Sequence, residues 1–216
     1  DTGNYMQAII YYQKSLSISE ELGDKNKIAA NYNSIGIICR NQANYPQALD
    51  YYFRSLKLKE EILESIILLD EDISEIKSGI ANTLGNIGIA YMFQTNYQIA
   101  LDYFFKSLKL HEELGEKKEM LSNLSNIGIV YNEQANALSP DEEADRERLY
   151  KEAFDYYFRS LKIGEELGNK FEIAISLSNL GSLFLETESF KKAEIYLKQA
   201  ISIDSTIGAQ KNLMEA

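Results

Sequence analysis

Cysteine, histidine and proline are nearly absent from this chain, with one, one and two copies in 216 residues. A lone Cys39 excludes an internal disulfide, and Cys39 with the single His111 falls short of the Cys/His sets that hold structural zinc. No metal or other cofactor is expected. No run of eighteen apolar residues occurs, and the opening DTGNYMQAII lacks the basic, then apolar, then small-residue order of a signal peptide, so neither a membrane span nor a leader is expected within this stretch. Basic residues are also short: 22 against 33 acidic ones leave a net charge of −11, which repels a nucleic-acid backbone or an anionic membrane. With so little proline and only twelve glycines to interrupt it, a chain that is 45% hydrophobic is expected to form long helices around a substantial core.

What is present is a repeat. NYMQAIIYYQKSL (4–16), NYPQALDYYFRSL (44–56), NYQIALDYFFKSL (96–108) and LYKEAFDYYFRSL (149–161) are versions of one segment, and SFKKAEIYLKQAI (189–201) is a diverged fifth. Ala8, Ala48, Ala100, Ala153 and Ala193 mark it at intervals of 40, 52, 53 and 40 residues, a 40-residue period with two insertions. Each period holds two helices, A and B. Gly36, Gly88, Gly128 and Gly181 fall inside the A helices, where glycine costs about 0.5–1 kcal/mol relative to alanine. The recurrence is read as a close A/B approach, with the small alanine of B against the glycine backbone.

Tyr32, Ile35-Gly36, Cys39, Tyr45, Ala48 and Tyr52, with Leu124, Ile127-Gly128 and Tyr131, resemble the tetratricopeptide repeat along essentially the whole chain. The proline that usually closes helix B is missing, Glu60 and Glu112 standing in its place, so B is expected to run on to the Leu-Gly stops at Gly23, Gly115 and Gly168. The resemblance implies an all-α, right-handed α-solenoid of antiparallel helix pairs. A single array is expected, with A helices near 25–42, 73–94, 117–136 and 170–187, complete pairs near 25–66, 73–114, 117–168 and 170–204, and partial repeats at 4–23 and 205–216. The first insertion (61–79) extends a B helix, and in the second Ser139, Pro140 and Glu142 read as N-cap, first helical residue and capping-box acid. Unpaired partial units suggest a piece of a longer array.

No nucleophile, base and orienting group can be assembled, so no enzyme activity is expected. His111 reads as a solvated surface residue and Cys39 as a buried, inert thiol. The acidic run DEEADRER (141–148) lacks the glycine and ligand order of a calcium loop and reads as the first turn of a solvated helix.

A candidate site lies on the A-helix face turned away from helix B, where steps of about 100° per residue gather Asn33, Ile37, Arg40 and Asn41, then Asn82, Asn86, Ile89, Met92 and Phe93, then Ser125, Asn126, Ile129 and Asn132, then Asn179. By resemblance this face lines a concave groove. Amides offer donors and an acceptor suited to the backbone of an extended peptide; alternatively these asparagines bond neighbouring A helices. The lysines and arginines with which family members grip a terminal carboxylate are missing, Arg40 being the only basic residue there.

The expected function is a protein or peptide binding scaffold for a neutral or basic segment, without nucleic-acid or membrane contact by this stretch. The NYxxALDYYxxSLK and LGxK patterns are similar to the sensory arrays of bacterial histidine kinases and adenylate cyclases, which implies an input region, cytoplasmic or periplasmic, of a larger signalling protein. Self-association as a homodimer is the alternative.

Overall fold

The computed structural model describes residues 2–69 and 72–214, and the side chains of 5–69 and 72–207. Among the described residues there are nine helices and no strand: α1 (Thr2–Leu22), α2 (Lys25–Asn41), α3 (Tyr45–Leu68), α4 (Ser74–Phe93), α5 (Tyr97–Leu114), α6 (Lys117–Asn136), α7 (Glu143–Leu167), α8 (Lys170–Glu186) and α9 (Phe190–Met214). The A helices α2, α4, α6 and α8 therefore lie where the repeat puts them. Two compact units divide the chain, residues 1–114 and 115–216. Within each unit every helix packs on the next in sequence, and A helices also touch each other, α2 on α4 in the first unit and α6 on α8 in the second.

Local chemistry sets the helix ends. Gly23, Gly115 and Gly168 adopt φ of 68°, 70° and 62°, the left-handed conformation that stops a helix most cheaply with glycine. Asp24 and Asn169 then cap the next A helix, accepting from the backbone N–H groups of Lys27 at 3.0 Å and Glu172 at 3.3 Å. From A to B the turn is made differently: Ala43, Thr95 and Glu188, at equivalent positions, take φ of 58°, 60° and 53° without being glycine. Each is followed by a residue whose N–H returns to the A helix: Asn44 to Cys39 O (2.9 Å), Asn96 to Tyr91 O (3.0 Å), Ser189 to Phe184 O (2.8 Å).

Two expectations about helix ends are corrected. Ser139 and Glu142 do bond, the Ser139 N–H donating to the Glu142 carboxylate at 3.0 Å, but α7 begins at Glu143, so they form a turn ahead of the helix. Residues 205–214 are not the start of a new helix, since α9 runs unbroken to Met214. Ser205 and Thr206 donate back to the carbonyls of Ile201 (2.8 Å) and Ser202 (2.9 Å) one turn earlier and so ride along the helix without capping a new one.

The glycines do mark a close A/B approach, and Ala48 O lies 3.2 Å from a Cβ at Gly36, but the nearest atoms at each glycine belong to a larger side chain. A Cβ at Gly36 would lie 2.6 Å from the Tyr52 ring, at Gly88 2.7 Å from Phe104, at Gly128 2.5 Å from Tyr157, and at Gly181 2.6 Å from Leu197. The residue four after the alanine, one helical turn on, thus fills the space above each glycine. The alanines Ala48, Ala100, Ala153 and Ala193 are nevertheless fully buried beside it. Ser55 and Ser107 tie B to A by donating to the carbonyls of Ala29 and Ala81, both at 2.7 Å.

Candidate binding face

In the first unit, α2 and α4 present the outward positions side by side. Asn86 of α4 donates from Nδ2 to Asn33 Oδ1 at 3.2 Å, and its own Oδ1 accepts from Arg40 Nη1 at 3.3 Å. Arg40 Nη2 donates in turn to Asn41 Oδ1 at 3.3 Å. Asn33 and Arg40 of α2 and Asn86 of α4 thereby link neighbouring A helices, the alternative role the sequence left open for the asparagines, with Asn41 bracing Arg40 on its own helix. Asn82 is exposed, Ile89 and Met92 are half-buried, and Ile37 packs partly into the core. Phe93 keeps 56% of its surface and stacks on Tyr45, ring centres 5.7 Å apart.

The second unit differs at the equivalent positions. Asn132 stands where Arg40 stands, four residues after the repeat glycine, and Asn179 where Asn86 stands, two before it. Asn132 Oδ1 and Asn179 Nδ2 are both shielded and both lack a hydrogen-bond partner. Asn126 is half-buried, and among the described residues no group bonds its amide. Ile129 packs at the margin of the core. Ser125 leaves the candidate face: it is buried and shares a hydrogen bond with Ser160 Oγ at 3.2 Å, and Ser176 donates to the same Ser160 oxygen at 3.1 Å.

Among the described residues, no group of three or more His, Cys, Asp or Glu side chains could hold a metal ion, and no helix is long and apolar enough to cross a membrane. Cys39 is buried as expected, and desolvation pushes its thiol up, away from the reactive thiolate. His111 is a correction. It is 1% exposed, on the inward side of α5 one turn beyond Ser107, at the position that Ser19 and Lys59 hold in α1 and α3. The aromatic residues divide as their positions require. Tyr52 and Tyr157 are buried, and desolvation raises the first phenol to about 12 and the second further. Tyr91 and Tyr103 stack at 5.7 Å, as do Tyr131 and Tyr156.

A family model described as tetratricopeptide repeat matches residues 1–61 and 145–206, together more than half of the chain. No curated protein matches it. Among solved structures, BtubC from P. vanneervenii is similar with a TM-score of 0.75 and 17% identity, over 96% of this chain and 76% of that one. Aspartyl phosphate phosphatase F from Bacillus subtilis is similar with a TM-score of 0.77 and 16% identity, over 94% and 47%. The apo form of RapI is similar with a TM-score of 0.71 and 20% identity, over 95% and 50%. The chain spans about half the length of the last two, and at these identities the likeness is one of fold.

Proposed function

The chain belongs to the tetratricopeptide repeat family, and from that premise we propose that it is a protein or peptide binding scaffold whose A-helix faces take an extended segment of a partner. The observation that carries this reading is the hydrogen-bonding capacity left over on the second unit's A helices: the whole amide of Asn126, with Asn132 Oδ1 and Asn179 Nδ2. An acceptor and a donor without partners are what the N–H and C=O of an extended backbone satisfy, after rotation of the side-chain amides towards it. Apolar side chains must supply the affinity. A net hydrogen bond gives only about 0.5–1.5 kcal/mol, against the roughly 8 kcal/mol of micromolar binding, whereas each apolar side chain buried adds about 1.5–3 kcal/mol. Each unit has such groups on its own A-helix face, Ile129 in the second and Met92 and Phe93 in the first.

With Arg40 engaged by Asn86 and Asn41, and Glu133 and Glu186 exposed, the segment is neutral or basic. Such a scaffold would serve as the input region of a larger bacterial signalling protein, and no catalytic role is proposed for it. The test is selection from a peptide library, followed by calorimetry of the selected peptide with Asn126→Ala, Phe93→Ala and, as a control on the outer side of α9, Lys198→Ala. Loss in either of the first two, with the control unchanged, supports the face of that unit; equal affinity in all three places binding elsewhere. A second reading, self-association, is supported by the exposed apolar side chains of α1, Met6 (68%), Tyr11 (70%) and Leu22 (71%). Sedimentation across concentrations separates it, since a peptide receptor alone stays monomeric.

A further inference from the structure

The first insertion builds something that the repeat does not need. It lengthens α3 to 24 residues, against 18 for the next B helix α5, and carries the chain around to the start of α4. Between the end of α3, the first turns of α4 and the start of α2 it leaves a cavity of about 310 Å³. That volume lies at the lower end of the range, about 300–1,000 Å³, in which small organic molecules are held. Its lining includes Lys59, Gly79, Ile66 and Ile76, with Asp72 and Glu75 also facing it.

Lys59 is the unusual member. Its ammonium donates to the Gly79 carbonyl at 2.8 Å and to Thr83 Oγ1 at 2.7 Å, which uses two of three protons on neutral acceptors. Among the described residues no carboxylate pairs with it, and burial alone pulls its ordinary value down to about 8. The same B-helix position is Ser19 in α1, His111 in α5 and Gly164 in α7, so packing of the repeat does not call for a lysine there. A desolvated cation without a counter-charge is costly unless something anionic reaches it.

The carboxylates nearby are in the wrong place to neutralise it but in a useful one for a ligand. Asp72 and Glu75 are exposed, and Asp72 accepts from the Ser74 N–H (2.9 Å) and hydroxyl (2.7 Å), bonds that hold its carboxyl below the usual range and so ionised. A polyanion would be repelled by this pair and a simple cation by Lys59. The complementary molecule carries one charge of each sign, with modest apolar bulk between for Ile66 and Ile76.

We infer that this cavity binds a small zwitterion of the amino-acid kind, its carboxylate accepting the third proton of Lys59 and its ammonium lying beside Asp72 and Glu75. The cavity shares no lining residue with the peptide face, and the assignment does not rest on that proposal. Calorimetry of the full chain with L-alanine, L-leucine and γ-aminobutyrate, and with propionate and propylamine as single-charge controls, tests it. Saturable binding of at least one zwitterion is expected, with both controls weaker by about tenfold or more. Glu75→Gln, an exposed change in the first turn of α4, should weaken the zwitterion by about tenfold and leave propionate unchanged; Lys59→Met should abolish binding. If Lys59→Met does not fold, as circular dichroism will show, Glu75→Gln and the controls decide alone. No binding by any of the three zwitterions, propionate binding as well as they do, or a Glu75→Gln variant that binds like wild type overturns the assignment.

Discussion

The two units solve the same contact with different side chains. Between α2 and α4 an arginine is long enough to reach the next A helix, and Arg40, Asn86 and Asn33 form a continuous chain of hydrogen bonds. Between α6 and α8 the arginine position is Asn132, and the shorter amide leaves its own Oδ1 and the Asn179 Nδ2 without partners. One backbone pattern therefore gives a sealed face in one unit and an unsatisfied one in the other. A repeat position fixes where a side chain points, and the length of that side chain decides whether its polar group is spent on the fold or left for a ligand.

The largest expected effect tests what the units share. Gly88→Leu in the first and Gly128→Leu in the second should each cost at least the roughly 1–3 kcal/mol of overpacking, because even a Cβ would fall 2.7 Å from the Phe104 ring and 2.5 Å from the Tyr157 ring. Gly181→Ala should cost less, since the opposing Leu197 can turn aside where a packed ring cannot, and the gain of about 1 kcal/mol in helix propensity offsets part of it. Urea midpoints give the ranking. A Gly128→Leu variant that unfolds like wild type would show that these glycines are not contact points.

That ranking also shows how far the sequence could be read. The glycines, the Leu-Gly stops and the A-helix positions follow from local chemistry repeated at a fixed interval, so one chain displays them several times over. The side chain opposite each glycine, a ring in three units and Leu197 in the fourth, was less visible, because alanine and the residue four after it recur together and either could fill the space. The turns at Ala43, Thr95 and Glu188 gave no sign, as a left-handed residue that is not glycine has no composition signal. Asn86 could not be assigned because its partners lie 46 and 53 residues away, and Ser125 because Ser160 lies across the helix pair. His111 failed for the same reason: two glutamates follow it in sequence, and its burial comes from packing.

Substituting the asparagines breaks the comparison directly and should give opposite signs. Asn86→Leu strands Arg40 and Asn33 and should destabilise by about 1–3 kcal/mol. Asn132→Leu with Asn179→Leu removes two groups that are already unpartnered, replaces them with side chains of similar shape, and should be neutral or stabilising by about 1 kcal/mol. The same double variant should lose a selected peptide. Destabilisation of both units alike would mean that the second unit's amides are satisfied after all.

A titration separates the units by a different route. The Lys59 ammonium has a folded-state value of about 8 against 10.5 for the free side chain, with burial as the cause. Between those values the unfolded chain holds the proton and the folded chain does not, so stability rises with pH in that window. Asp72, just ahead of α4, and Glu75, in its first turn, are the carboxylates that line its cavity. From pH 7.5 to 9.5 the urea-derived stability should rise by roughly 1–2 kcal/mol, and Lys59→Met should flatten it. The Cys39 thiol, also raised by burial, acts in the opposite sense at the top of this window and offsets part of the rise, and the raised phenols of Tyr52 and Tyr157 do so above about pH 10, where the unfolded tyrosines ionise first. The second unit carries Gly164 at the equivalent position and adds nothing to the rise.

The smallest effect concerns a feature present in both units. The first residue of α2, Lys25, pairs with Glu61 of α3 at 2.9 Å, and the first residue of α6, Lys117, pairs with Glu166 of α7 at 2.7 Å. Each joins the start of an A helix to the far part of its B helix, so position alone would suggest a clamp. Exposure argues against a large contribution: the two lysines keep 56% and 55% of their side-chain surface and the glutamates 40% and 57%, so water competes for every bond. The lysine hydrogen bond holds each glutamate below its usual range, and its contribution is therefore present above that range and lost as the pH falls through it. Lys25→Met and Lys117→Met should shift the urea midpoint equally, by less than any destabilising substitution above, and raising the salt should erase both shifts through screening. A shift in one unit alone, or one that survives high salt, would show that the pair is shielded there and that the helix pairs are not held in the same way.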